Sequence, residues 1–324
     1  MKKRLSIILI CLMLASCLTA CGSSTSNTGN TNKLSIVTTI FPVYDWTKQI
    51  LGDSDADLTM LLNSGVDLHS FQPSADDIVT ISNCDVFIYV GGESDEWVED
   101  ALQETVNKDM VVVNLLDVLG DAAKEEETVE GMQAEDEESE GEEEDPEYDE
   151  HIWLSLKNAA VLCEAIKEAI AKADSDNADT YAANADAYIN LLNELDAKYQ
   201  DAVDSATIKT ILFGDRFPFR YLVDDYGLKY FAAFMGCSAE SEASFETIAF
   251  LAKKVDKLGL KVVLTLEGTD HSIADTIIST SKKKNAEIKS MDSMQSTTAE
   301  DVDNGATYLS SMEKNLEVLE TALK

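Results

Sequence analysis

The chain has 324 residues, 45% of them apolar, and carries 61 acidic against 25 basic residues for a formal charge of -36. That length and apolar share are enough for one large or two medium packed domains. The shortage of Lys and Arg argues against nucleic-acid binding, which needs clustered basic groups on phosphates, and makes cations the natural small partners.

Residues 1–21 read as a targeting segment, with Lys2-Lys3-Arg4 as its basic start and residues 5–14 as an apolar stretch too short for an ordinary membrane span. Two consecutive Leu-x-small-Cys sequences follow, Leu14-Ala15-Ser16-Cys17 and Leu18-Thr19-Ala20-Cys21. They resemble the lipobox of bacterial lipoproteins, whose Cys is acylated and becomes the mature N-terminus. Cys21 is the favoured lipidation site and Cys17 the alternative, because Gly22-Ser23-Ser24-Thr25-Ser26-Asn27 opens a flexible polar tether over 22–32. The expected location is the outer face of the cytoplasmic membrane, with lipid chains as the anchor.

From residue 33, short β-branched runs alternate with amphipathic stretches. Strands are expected at 34–39, 58–62, 86–90 and 110–114, and helices at 43–51, 74–82 and 97–107, with Ser74 as N-cap and Asp77 at the capping-box position. Residues 121–150 are expected to form a disordered acidic loop, since 125–150 hold 16 Asp and Glu and no Lys or Arg. A helix at 157–173 precedes a longer one at 179–204, where Tyr181, Ala185, Tyr188, Leu192, Leu195 and Tyr199 form a stripe expected to pack in the core. A second series follows: strands at 209–213, 228–234, 261–266 and 286–290, and helices at 219–225, 244–258, 272–283 and 299–323.

The fold class expected is α/β, two lobes with four-stranded parallel-type sheets flanked by helices and joined by one long rigid helix. The boundaries are a first lobe at 33–176, a linking helix at 177–205 and a second lobe at 206–324. In such sheets ligands sit beyond the C-terminal strand ends, which puts His69, after the second strand, and His151, after the acidic tract, on one rim. The three cysteines of the folded body, Cys84, Cys163 and Cys237, are too few and too scattered for a disulfide framework or a thiolate zinc site. Cys84 and Cys163 read as core residues; Cys237, between Gly236 and Ser238, reads as a loop residue with no base beside it in sequence.

His69 stands in Gly65-Val66-Asp67-Leu68-His69-Ser70-Phe71-Gln72-Pro73-Ser74, and His151 in Asp149-Glu150-His151-Ile152-Trp153-Leu154. Both stretches resemble motifs of the metal-binding solute receptors of bacterial ABC importers, the zinc and manganese family called cluster A-I, over about residues 33–324. The departures are Leu68 and Glu150 where the family has Pro, and Ser155-Leu156 at the end of the second motif. The resemblance implies a receptor, not an enzyme, probing one metal with two imidazoles from the first lobe and further ligands from the second. It implies as partners an ABC transporter permease with its ATP-binding subunit and the membrane through the lipid anchor, and a monomer.

The family's third ligand is a His or Glu before a Phe-x-Tyr-Phe-like helix start, where this chain reads Gly214-Asp215-Arg216-Phe217-Pro218-Phe219-Arg220-Tyr221. Ungapped counting puts Arg216 at the ligand position, and a guanidinium cannot bind a metal cation. Asp215 is therefore the ligand expected, against a structural role in pairing with Arg216. The fourth ligand is expected from Glu267-Gly268-Thr269-Asp270-His271-Ser272, with Glu267 first and Asp270 as the runner-up, and His271 outside the site. Zn2+ is favoured as the transported ligand over Mn2+, although two carboxylates pull toward manganese. The acidic tract reads as a lure that concentrates cations. A zinc hydrolase lacks support because His-Glu-x-x-His is absent; a surface adhesin is the third class weighed.

Overall fold

The computed structural model describes residues 33–103, 105–133, 147–238 and 242–324. The targeting segment, the tether with Cys17 and Cys21, and the centre of the acidic tract lie outside the described residues. Among the described residues no helix is long and apolar enough to cross a membrane.

The first lobe is built on a four-stranded parallel sheet in the order β2-β1-β3-β4, with β1 at Leu34–Thr38, β2 at Ala56–Met60, β3 at Val86–Tyr89 and β4 at Val111–Asn114. Parallel pairing forces helical crossovers, and these are α1 (Phe41–Leu51), α2 (Ala75–Asn83) and α3 (Trp97–Gln103). Helix α2 starts where the Ser74 hydroxyl accepts the Asp77 N–H while Asp77 accepts the Ser74 N–H, the reciprocal box expected from the sequence. After a short α4 (Leu115–Leu119), the chain runs through the acidic tract to α5 (Leu156–Ala173).

Helix α6 (Ala178–Ser205) has 28 residues, so it extends about 42 Å at 1.5 Å per residue. Its stripe Tyr181, Ala185, Tyr188, Leu192, Leu195, Tyr199 and Val203 is buried throughout. The helix also reaches polar groups across the core: Tyr188 donates to the buried Asp45 carboxylate, and Tyr199 donates to the Met312 carbonyl. Asp45 accepts the Tyr308 N–H as well, which ties α1 to the C-terminal helix.

In the second lobe the sheet is less continuous. Strands β5 (Thr210–Leu212) and β7 (Lys229–Phe231) pair, as do β9 (Val262–Leu266) and β10 (Glu287–Met291), all parallel. A single parallel bridge, Phe213 to Leu264, joins the two pairs into the order β7-β5-β9-β10. The strand expected at 228–234 is divided, because the chain leaves β7 and forms β8 (Phe234–Met235) against β6 (Arg216–Phe217). Both short strands lie just beyond the C-terminal ends of the sheet, where the cleft is. Helices α7 (Arg220–Tyr226), α8 (Phe245–Leu258) and α9 (Ser272–Thr280) complete the lobe. The closing helix is two, α10 (Ala299–Asp303) and α11 (Tyr308–Ala322), separated at Gly305, whose φ of 96° no helix can hold.

The loop expected to be disordered over 121–150 is described at both ends, 121–133 and 147–150, and there it is built into the fold. Glu125 and Tyr148 form an antiparallel bridge, the Gln133 N–H donates to the Ala233 carbonyl, and Lys124 N–H donates to the Tyr221 hydroxyl. Charge repulsion is met by cations from the second lobe: Arg220 pairs with Glu127, and Lys254 with Glu130 at 2.9 Å. Net charge in sequence could not register these partners, since they lie about a hundred positions away.

Candidate metal centre

His69 sits on a single 3-10 turn, Leu68–Ser70, in the loop after β2. The turn forms because Asp67, as its N-cap, accepts the His69 N–H at 3.1 Å, while Leu68 is fully buried and holds the turn to the core. Ser94 then fixes the ring, its hydroxyl lying 2.8 Å from His69 Nδ1. Ser94 belongs to the loop after β3, whose Gly91 and Gly92 have φ of 93° and 82°. Gly92 is needed for space too: a Cβ there would stand 2.4 Å from a Glu150 oxygen.

His151 is wholly buried. The Asp149 carboxylate accepts its backbone N–H at 2.8 Å and lies 2.9 Å from its Nδ1. A carboxylate can only accept there, so Nδ1 carries the proton and the lone pair is left on Nε2. The segment is pinned on both sides by the second lobe: the Tyr221 hydroxyl donates to the Asp149 carbonyl and the Trp153 indole donates to the Ser293 carbonyl.

The two Nε2 atoms face one another at 3.2 Å. Two nitrogens each about 2.1 Å from one zinc stand about 3.4 Å apart in tetrahedral geometry, so the pair is spaced close to what metal ligands need. Burial, and then the neighbouring His151, push the His69 imidazole down from 6.5 to about 3, which keeps it neutral and able to offer its lone pair. Burial likewise raises the Glu150 carboxyl, whose oxygens face Ser94 N and His69 Nδ1, to about 7.

The second lobe contributes less directly than the sequence suggests. Asp215 lies on the wall of a cavity of about 540 Å³ that also exposes His69, Asp67 and Arg216. Its carboxylate accepts the N–H groups of Arg216 at 2.9 Å and Leu266 at 3.1 Å. Arg216 does not turn its guanidinium to Asp215; it reaches across to Asp67 at 2.8 Å. Glu267 points at Ser293, accepting its N–H at 2.8 Å and its hydroxyl at 2.6 Å, and does not line the cavity. Burial and the nearby Asp292 raise its carboxyl to about 7. Asp270 is exposed on the cavity rim and accepts the Ser272 N–H at the start of α9. His271, with φ of 60°, faces the same cavity, 3.4 Å from the Thr269 hydroxyl.

Cys237 is the residue that sequence reasoning passed over. Among the described residues, one His, Cys and acid group has donor atoms close enough to share a metal: His69, His151 and Cys237, all within 4.8 Å of one another. Burial and the carboxylates of Glu126, Asp149 and Glu150 push the Cys237 thiol well above the usual range. Its signal in sequence was indirect: once Arg216 removes a ligand, a loop cysteine outside the core becomes the remaining soft donor. The Gln295 amide closes the other side, one of its ends 2.8 Å from His151 Nε2 and the other 3.1 Å from Asp67. A second cavity, of about 370 Å³, shares His69 and Cys237 and is otherwise lined mainly by Glu93, Glu96, Glu126, Glu147 and Glu150.

Two α/β lobes with an imidazole pair at the cleft define a class, the two-lobed solute receptors. The fold is similar to that of the Zn(II)-bound ZnuA-like domain of AdcA from Streptococcus pneumoniae, with a TM-score of 0.70 and 30% identity over 90% of this chain and 99% of that one. It is also similar to the metal-dependent lipoprotein YcdH of Bacillus subtilis, with a TM-score of 0.72 and 28% identity over 90% of this chain and all of that one. The chain belongs to the ZnuA family, described as zinc-uptake complex component A, periplasmic, whose model matches residues 36–322. Among curated relatives, it is 31% identical to the high-affinity zinc uptake system protein ZnuA of Bacillus subtilis, over 98% of this chain and 97% of that one. It is 33% identical to the zinc-binding lipoprotein AdcA of Streptococcus pneumoniae strain R6, over 98% of this chain but 60% of the relative's length.

Proposed function

We propose that this chain is the extracytoplasmic receptor of an ABC importer, capturing one divalent transition metal in the cleft and passing it to a membrane permease that works with an ATP-binding subunit. Zinc is the metal, and the receptor binds it without catalysing a reaction. A lipid on Cys21 holds the body at the outer face of the cytoplasmic membrane, and the receptor acts as a monomer with lobes at 33–176 and 206–324 and a linking helix at 177–205. One observation carries the reading: the two imidazoles with facing Nε2 atoms 3.2 Å apart, each held through its other nitrogen. Family membership and relatives named for zinc support it. Asp215 is the second-lobe carboxylate we take to join the histidines, since it is on the cavity wall at the end of β5; like Glu267 and Asp270, it serves as a ligand by leaving its present partners. The acid-lined second cavity draws cations toward His69.

The test is native mass spectrometry of the full chain after exposure to equal zinc and manganese. One zinc per chain is expected, lost on chelation and lost in His151→Ala. Uptake of no metal, or uptake unchanged in His69→Ala and His151→Ala, would sink the reading. The carboxylate of Asp215 is the observation on the side of manganese, and manganese retained alone in that competition would establish it.

A further inference from the structure

We propose that Cys237 is a metal ligand of this receptor, binding as a thiolate beside His69 and His151 and giving the site its preference for thiophilic ions. The inference rests on the metal-receptor reading above and adds to it a ligand from the second lobe.

Three observations meet at this residue. The first is distance, since one nitrogen of each imidazole and the Cys237 sulfur lie within 4.8 Å of one another. Zinc–sulfur bonds of about 2.3 Å and zinc–nitrogen bonds of about 2.1 Å place such donors about 3.5 Å apart in a tetrahedral site, so small side-chain movements close the set. The second is the backbone. The loop after β8 comes so near His151 that a Cβ at Gly236 would stand 2.9 Å from Cε1 and 3.1 Å from Nδ1 of that ring. Glycine at 236 is thus what lets the second lobe bring the next side chain to the imidazoles. The third is the deficit at Arg216, which is committed to Asp67 and offers no lone pair. A sulfur donor supplies what that position does not.

Proton accounting is simple. Without metal, burial and then the surrounding carboxylates disfavour a bare thiolate, and the sulfur stays protonated against Glu126. When a divalent cation arrives, a sulfur lone pair goes to the metal and the S–H proton passes to the Glu126 carboxylate, then to solvent. No oxidant or reductant takes part. Glu126 is a positioning residue here, and it comes from the described start of the acidic tract. Two imidazoles and a thiolate suit zinc or cobalt and suit manganese poorly, because soft sulfur adds little for a hard cation.

Cobalt(II) binding to the full chain tests this, since a cobalt–thiolate bond produces a strong near-ultraviolet charge-transfer band and cobalt bound by nitrogen and oxygen alone does not. Wild type is expected to show that band together with the weaker visible bands of bound cobalt. Cys237→Ser is expected to lose the charge-transfer band, keep visible bands, and bind zinc at least 10-fold more weakly, with a smaller loss for manganese. Cys237→His, which restores a donor, is expected to recover zinc affinity without the band. Visible bands without charge transfer in wild type, or wild-type zinc affinity in Cys237→Ser, would overturn the thiolate while leaving the receptor intact. Absence of both cobalt and zinc binding in wild type would overturn the receptor reading and this one together.

Discussion

The rims of the two lobes are made of similar loops at the ends of similar strands, yet they spend their polar groups differently. On the first, His69 and His151 are each fixed through Nδ1, by Ser94 and Asp149, and keep Nε2 for the cleft. On the second, the acids at the strand ends are occupied with their own backbone: Asp215 with Leu266 N–H, Glu267 with Ser293 N–H, Asp270 with Ser272 N–H. A strand-end position therefore does not make a ligand. What makes one is a lone pair left over after local hydrogen bonds are satisfied, and imidazole, with two nitrogens, retains one where a carboxylate bridging backbone donors is partly spent.

The largest effect should come from the first rim. Removing an imidazole takes away a bond to the metal, so His69→Ala and His151→Ala should each weaken zinc binding by more than about 100-fold, the upper end of the range for partners that only support a ligand. Calorimetry against a competing chelator measures this, and a loss below 10-fold in both would break the comparison. Asp149→Asn keeps the shape but not the charge that orients His151, and about 10- to 100-fold is expected in the same assay.

On the second rim the expected effects shift from binding toward stability. Asp215→Ala orphans the N–H groups of Arg216 and Leu266 and should lower metal-free stability by about 1.5–3 kcal/mol in denaturant unfolding. Its zinc affinity should fall by less than in either histidine variant; an equal fall would make Asp215 a ligand of the same rank. Glu267 gives a pH signature. Its carboxyl is raised from 4.5 to about 7 in the folded state, so its contribution is fully present below 4.5 and is lost as pH rises through 7. Thermal midpoints of metal-free wild type should thus fall relative to Glu267→Gln between pH 5 and pH 8, and parallel curves would remove the burial argument. The smallest effect is expected at His271, where Asn tolerates the positive φ. Zinc affinity of His271→Asn should stay within about twofold of wild type, well under the 1.4 kcal/mol of a tenfold change.

Much of this architecture was open to reading from periodicity, because the forces that set it are local. The Ser74–Asp77 box, the buried stripe on α6 and the alternation of strand and helix depend on neighbours within one or two turns. The two histidines were visible in separate short motifs on loops assigned to one rim, but the spacing of their rings was not. The divided strand at 228–234 escaped because β8 forms only against β6 across the lobe, whereas the break at Gly305 had a local signal, Asn304-Gly305 ahead of the N-cap Thr307, that the helical pattern on either side masked.

The sequence by itself determined the α/β alternation and the long linking helix, since each follows from side-chain period, and it set His69 and His151 in two compact motifs. Only the tertiary structure decided that Arg216 would seek Asp67, 149 positions away, that Glu267 would settle on Ser293, and that Cys237 would come to rest beside both imidazoles. It also decided that the described ends of the acidic tract would be held by Arg220 and Lys254. The physical reason is common to all four: which charges and donors meet is set by how segments pack within and between the lobes, and a hydrogen bond or ion pair between distant segments has no period along the chain.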